Sequence, residues 1–169
     1  FAKIEGGQFS TSRCITGVNL LKPNRDRRDQ SLYFAGEGSF TNGYFESPQK
    51  FSRLNGIVKY HGSFNRNNTV TAILTGFTSK WYASGQIPDR AVESGLVGFY
   101  GAIDNTEGGK TSRHNASIEL QTKLINGGIL RNLFYYSRYK FELYSNFTFF
   151  KEDPINGDQI RQKESRNII

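Results

Sequence analysis

The clearest feature of the chain is an alternation of apolar and polar side chains through residues 129–150, ILRNLFYYSRYKFELYSNFTFF. One set of alternate positions is apolar: Leu133, Tyr135, Tyr139, Phe141, Leu143 and Phe147. The interleaved set is polar: Asn132, Arg138, Lys140, Glu142 and Asn146. Period two predicts a β-strand with one apolar and one polar face. Because an ordinary strand has about 5–6 residues, this length fits either a membrane-barrel wall or an unusually long strand of a soluble β-sandwich.

Weaker versions of the same alternation predict further strands. We expect them at residues 1–4, 9–21, 31–40, 52–64, 69–79 and 115–124, with a last, mostly polar segment at 159–169. Stretches rich in Gly, Pro and Asn separate them, including a charged turn at 22–30. Residues 80–112 form a connection of about 30 residues, far above the usual median of about 5. The chain is therefore predicted to be all-β, with about seven to eight antiparallel strands.

The connections after Leu21 alternate between short and long, so the long ones are expected at one end of the sheet. Outer-membrane barrels show this asymmetry, with short periplasmic turns and long extracellular loops. A soluble sandwich has no reason to sort its loops by length. We therefore predict an antiparallel transmembrane β-barrel segment, with residues 1–169 forming part of one barrel domain. Since an open sheet edge is not viable in lipid, we expect more strands on at least one side.

Composition agrees with this prediction. The chain has Phe 14, Tyr 9 and Gly 18 against Pro 4, which favours β-structure, and it has no run of about 18 apolar residues. The net charge is +7, but the basic residues are spread along the chain and are not interleaved with the aromatic ones. Nucleic acid is therefore not the expected partner, whereas anionic lipid headgroups or an anionic ligand are compatible. Cys14 is the single cysteine, which excludes an internal disulfide and a cysteine-based metal site.

Three stretches carry a resemblance to a known family: FAGEGSFTNGYFESPQKFSRLNGIVKY, SKWYASGQIPDRAVESGLVGFYGAIDNTEGGKTSRHNASIEL and YYSRYKFELYSNFTFFKEDPINGDQIRQKESRN. They resemble the barrel of TonB-dependent outer-membrane receptors of Bacteroidota-type bacteria. The resemblance implies a 22-stranded barrel with an N-terminal plug and a TonB box, which takes up a scarce large solute such as a siderophore, vitamin or oligomer. The implied partners are outer-membrane lipid, the TonB complex through an N-terminal region, and a surface lipoprotein or larger outer-membrane assembly. The plug, the TonB box and most of the strands are missing from these 169 residues.

The connection 80–112 is the best candidate for solute binding, because long loops on a rigid scaffold carry many binding residues. Its candidate contacts are aromatic and charged: Trp81, Tyr82, Gln86, Asp89, Arg90, Glu93, Phe99 and Tyr100. The alternative is a self-packed lid built on the apolar residues between positions 88 and 97. Arg138, Lys140 and Glu142 are predicted to line the lumen, where such charges either meet the solute or pair across the wall.

We expect no enzymatic activity, no cofactor and no bound metal. His61, His114 and Cys14 lack an orienting third group, and DNTEGG at 104–109 does not have the spacing of an EF-hand. Two other functions stay open at this level: a receptor-like barrel with a structural or assembly role in the outer membrane, and a soluble β-sandwich binding module.

Overall fold

The computed structural model describes residues 1–21, 29–147, 151–154 and 159–169. Within them lie eight strands and one short helix: β1 Ala2–Gly7, β2 Thr11–Leu21, β3 Ser31–Thr41, β4 Phe51–Ser63, β5 Asn68–Tyr82, α1 Asp89–Glu93, β6 Gly108–Lys123, β7 Ile129–Asn146 and β8 Gln159–Ile168. The strands form one sheet in sequence order, each antiparallel to the next. The predicted all-β antiparallel class is confirmed. The sheet is open, and the described residues do not form the two packed sheets of a sandwich.

The two ends of the sheet carry different connections. Residues 42–50 and 83–107 lie at one end, which we call the loop end, together with the short turn 8–10. Residues 64–67 and 124–128 lie at the opposite end, the turn end. The connection 22–30, predicted to be short, also lies at the turn end and is as long as 42–50, while its residues 22–28 lie outside the described ranges. Loop length is therefore sorted by end less completely than the sequence predicted.

The long connection is shorter than the predicted 80–112, because both flanking strands continue beyond their expected ends. Trp81 pairs with Gly109 and Tyr82 with Gly108, so the ladder between β5 and β6 runs up to the connection 83–107. The segment GGKTSR has no apolar alternation, and its backbone pairing with both neighbouring strands extends β6 through it. At the other boundary, β7 ends at Asn146, and the predicted strand residues 148–150 lie outside the described ranges.

Strand register divides the side chains between two faces, because paired residues in an antiparallel ladder point to the same side. Along β4, Arg53 and Asn55 are half-buried, whereas Ser52 and Leu54 are exposed. We call the half-buried face the inner face and the exposed one the outer face. Following the pairs across the sheet places Asn55 with Phe77 on the inner face, and Leu54 with Thr78 on the outer face.

Little of the sheet is buried in a core. Among the described residues, Val70 and Ala91 are the only hydrophobic residues that are buried. The described residues place no second layer over either face of the sheet, so its stability rests on the backbone ladder and on contacts along each face.

No helix in the described ranges is long and apolar enough to cross a membrane.

Gly108 begins β6 with φ at 145°, a backbone conformation that strongly favours glycine. A Cβ atom there would overlap the carbonyl oxygen of Trp81 and lie 2.7 Å from Cα of Tyr82. We expect Gly108→Ala to destabilise the fold by about 1–3 kcal/mol, measured as a lower midpoint in thermal unfolding followed by circular dichroism. Gly56→Ala is the matched control, because the nearest atom to its Cβ is 3.9 Å away. Equal midpoints for both variants would contradict this.

Candidate functional site

Charged side chains form a continuous row on the inner face across β1 to β4. The Glu37 carboxylate stands at its centre and accepts hydrogen bonds from Arg13 Nε at 2.7 Å and Arg53 Nη2 at 2.6 Å. Asn55 Nδ2 donates to the other carboxylate oxygen at 2.9 Å. Arg13 also donates to Glu5 at 2.9 Å, and Glu5 pairs with Lys3. Each strand thus contributes one or two members, and the row staples the strands together on this face.

A second polar cluster lies on the inner face of β5, β6 and β7. Asn115 Nδ2 donates to Thr75 Oγ1 at 2.8 Å, while Asn115 Oδ1 accepts from Ser137 at 2.7 Å and Tyr135 at 3.2 Å. The Arg113 guanidinium lies over the Tyr139 ring at 5.0 Å from its centroid, a cation–π contact. The amide of Asn115 is therefore satisfied by side chains of both neighbouring strands.

A cavity of about 670 Å³ lies on the inner face between these two clusters. Its lining mixes polar groups with aliphatic and aromatic ones: Ile15, Glu37, Asn55, Ile57, Phe77, Arg113, Asn115 and Tyr139. A volume of this size accommodates a small polar solute or a cluster of waters. The described residues contain no group of three His, Cys, Asp or Glu side chains that could hold a metal ion.

Aromatic side chains form a cluster at the loop end. Tyr44 stacks on Phe45 with ring centroids 4.4 Å apart and meets the edges of Tyr100 at 5.7 Å and Phe9 at 6.4 Å. Phe99 contacts Tyr100 at 5.2 Å, and the Glu46 N–H donates to the Tyr100 carbonyl at 3.0 Å. We call these five residues the aromatic crown. It joins the turn 8–10, the connection 42–50 and the connection 83–107.

The predicted binding residues fall into three groups. Trp81 and Tyr82 are half-buried residues of β5, not loop residues, which corrects the predicted boundary. Gln86, Asp89, Arg90 and Glu93 are exposed in the connection 83–107. Phe99 and Tyr100 belong to the aromatic crown.

Three members of the aromatic crown, Phe9, Tyr44 and Phe45, were not among the predicted candidates. The sequence signal for them is weak: aromatic residues occur within segments otherwise typical of turns, YF within NGYFESPQK at 42–50 and Phe9 after Gly6-Gly7-Gln8. Ala91 is the one member of α1 that is buried, so the connection 83–107 combines a packed helix with exposed aromatic rings.

A buried polar cluster fixes the end of the connection 83–107 against β7. Glu107 is 6% exposed and accepts the Asn146 backbone N–H at 3.1 Å. Asp104 accepts from Asn146 Nδ2 at 3.2 Å and from the Thr106 backbone N–H at 2.9 Å. Burial raises the pKa of Glu107 against the effect of the Asn146 hydrogen bond, and the nearby Asp104 charge raises it further. Burial also acts to raise the pKa of Asp104, but the hydrogen bonds from Thr106 and Asn146 outweigh it, and that pKa is lowered.

The register corrects the face predicted for Arg138, Lys140 and Glu142. Arg138 pairs with His114, and the next pairs toward the turn end are Tyr136 with Ala116 and Phe134 with Ile118. The three charged residues therefore lie on the outer face, in line with the aliphatic positions of β6. The apolar set of the alternation, with Leu133, Tyr135, Tyr139 and Phe141, lies on the inner face, where these residues pair with Glu119, Ser117, Arg113 and Thr111.

Comparison of the chain with protein families, with curated proteins and with solved structures finds no match in any of the three.

Glu37→Gln tests whether the charged row stabilises the sheet. The substitution leaves two guanidinium groups beside a neutral amide, so the charge-assisted hydrogen bonds are lost. We expect the thermal unfolding midpoint of the protein to fall by several degrees. Glu119→Gln, on the same face and without an ion pair in the described part of the chain, should leave the midpoint unchanged. A similar midpoint for both variants would show that the row contributes nothing.

The raised pKa of Glu107 predicts that docking of the connection 83–107 depends on pH. A carboxyl group whose pKa is raised in the docked state favours that state while it is protonated. As the pH rises from the ordinary pKa through the raised one, the group ionises and this contribution to docking is lost. Local opening, measured by hydrogen exchange corrected for intrinsic rates, should therefore become easier as the pH rises above 4.5, the ordinary value for Glu. Glu107→Gln should flatten this dependence, and Glu93→Gln, exposed in the same connection, should not. An unchanged profile in Glu107→Gln would assign the dependence to another group.

Proposed function

We propose that residues 1–169 are part of the wall of a β-barrel in a bacterial outer membrane, and that this barrel belongs to a TonB-dependent receptor for a scarce large solute. The observation that carries the proposal is an inverted distribution of exposure. On the outer face Leu54, Leu74 and Ile118 are 62%, 56% and 47% exposed. On the inner face five charged or amide side chains are half-buried and hydrogen-bonded to neighbouring strands: Arg13, Glu37, Arg53, Asn55 and Asn115.

An inverted distribution is unfavourable in water. Each exposed apolar Å² costs about 25 cal/mol when water is the solvent, and a soluble sheet would place its aliphatic residues on the covered face. In a bilayer the cost disappears, because lipid tails solvate these side chains. The polar inner face then faces a wet lumen, as in barrels whose strands alternate apolar-out and polar-in.

The two edges of the sheet also support a larger barrel. Within the described residues β1 pairs only with β2, and β8 only with β7. On the side that faces away from the sheet, β1 and β8 present backbone N–H and C=O groups without a strand partner among the described residues. Such unpaired groups are strongly unfavourable in lipid. Further strands, from the same or another chain, are needed to pair both edges, and a larger barrel supplies them.

The receptor role draws its support from the loop end. The aromatic crown and the connection 83–107 place exposed rings beside charged side chains at the end of the sheet where a solute would arrive. Rings of this kind stack on ligands and bind them with little loss of conformational freedom. The inner cavity lies on the face that the solute would pass.

Adjacent cysteine substitutions test the wall. In a Cys14→Ser background we expect Ser117→Cys, on the inner face, to react with a hydrophilic maleimide when the full-length protein is in the outer membrane. Ala116→Cys, one residue away on the outer face, should react only after the membrane is dissolved and the protein unfolded. Ile73→Cys and Ala72→Cys on β5 repeat the comparison, inner against outer. Equal labelling of Ala116→Cys and Ser117→Cys in intact membranes would refute a lipid-facing outer face.

Growth of the producing bacterium tests the receptor role. A strain without the full-length gene is compared with complemented strains on defined media, each with one iron chelate or one oligosaccharide as the limiting nutrient. We expect slower growth on at least one of them, and the same defect with the double variant Phe99→Ala, Tyr100→Ala. Leu96→Ala removes an exposed apolar side chain outside the aromatic crown and should restore growth. Full growth of the double variant on that nutrient would exclude a role for the crown.

A further inference from the structure

The outer face changes character at one level across three strands. Toward the turn end two successive aligned sets of β5, β6 and β7 are apolar: Ala72, Ile118 and Phe134, then Leu74, Ala116 and Tyr136. The next aligned set is Gly76, His114 and Arg138. The next two aligned sets toward the loop end are polar or charged: Thr78, Ser112 and Lys140, then Lys80, Lys110 and Glu142. The last set before the connection is Tyr82, Gly108 and Tyr144.

A groove of about 510 Å³ lies on the outer face above this boundary. Its lining contains four cations, four hydroxyl residues, two carboxylates and one aromatic ring: Lys110, Arg138, Lys140 and Lys163; Thr78, Thr111, Ser112 and Ser165; Glu142 and Glu164; and Phe141. Guanidinium, ammonium and hydroxyl groups together are the donors that hold phosphate oxygens in proteins. The groove borders the apolar positions Tyr136 and Ala116, so a ligand there would touch both polar and aliphatic surface.

The carboxylates at the groove neutralise only one of its four cations, Lys110, among the described residues. Glu142 is almost fully buried and is held by Lys110 at 3.1 Å, by Arg161 at 2.5 Å and by the Tyr144 hydroxyl. Glu164 pairs with Arg166. In the described part of the chain Arg138, Lys140 and Lys163 have no carboxylate within ion-pair distance, and all three are exposed. Three positive charges therefore face outward without a counterion from the described residues.

We propose that this groove binds the phosphate of a phosphorylated glycolipid in the membrane leaflet at the loop end, with the acyl chains lying along the apolar positions below it. The proposal rests on the proposed membrane location. A lipid fits better than a ligand with charge alone, because the groove adjoins the apolar positions Leu74 and Ala116, along which acyl chains can lie. Basic side chains just beyond the apolar band of a membrane protein attract anionic headgroups, and salt weakens the attraction.

The test uses the full-length protein in a non-ionic detergent, titrated with diphosphorylated lipid A and followed by native mass spectrometry. We expect the triple variant Arg138→Gln, Lys140→Gln, Lys163→Gln to bind at least about tenfold more weakly. The control Lys59→Gln, Arg66→Gln, Lys123→Gln removes the same charge from the inner face and turn end and should bind like the natural protein. Wild-type affinity in the first variant would overturn the proposal.

Two more ligands separate the source of the phosphate from simple lipid binding. Lipid A without its phosphates should bind weakly to the natural protein, about as weakly as diphosphorylated lipid A binds to the triple variant. Equal binding of the two lipids to the natural protein would overturn the proposal. Inorganic phosphate at millimolar concentration should compete poorly, because it lacks the acyl chains; full competition would assign the groove to a free anion. The maleimide comparison of Ala116→Cys with Ser117→Cys is independent of these titrations, so failure of the membrane location and failure of the groove are distinguishable.

Discussion

The register of the strands is the constraint on which the rest of this structure depends. Because side chains alternate along each strand and paired residues share a face, the pairing of Asn55 with Phe77 and of Thr75 with Asn115 decides the chemistry of both faces at once. A slip of one residue at any strand pair would exchange the rows beyond it. The single irregularity between β2 and β3, between Asn19 and Leu21, lies near the turn end and leaves the rows of the remaining ladder in place.

The inner-face clusters act together with this register. Glu37 can bond Arg13 and Arg53 at the same time only if β2, β3 and β4 are aligned as they are, and Asn115 makes the same demand of β5, β6 and β7. Such polar contacts are specific in direction, whereas the aliphatic outer row would tolerate a shifted neighbour. This sheet has almost no buried hydrophobic core, so polar contacts on the inner face determine how the strands align. The outer face contributes little to the alignment.

The strands were largely predictable from the sequence, because alternation is a local property that neighbouring residues impose on one another. The ends of β5 and β6 next to the long connection were not predictable. The backbone pairing there, which includes Trp81 with Gly109, runs through residues that show no apolar–polar alternation. Two of the five residues of the aromatic crown, Phe99 and Tyr100, were predicted from the sequence. Tyr44 and Tyr100 belong to connections far apart in sequence, and their contact depends on how the two connections fold over the loop end, which no local pattern encodes.

The face of β7 was misassigned for a physical reason that also explains its length. Its outer row changes from Leu130, Phe134 and Tyr136 near the turn end to Arg138, Lys140 and Glu142 near the loop end. The charged residues near the loop end make the whole row of β7 look polar in the sequence. The register shows, however, that Tyr136 and Phe134 of the same row pair with the apolar residues Ala116 and Ile118. A strand that crosses an apolar band and continues beyond it must carry two outer environments in succession. The charges of β7 are therefore consistent with an outward position past the level of Gly76, His114 and Arg138, where the outer face of all three strands stops being apolar.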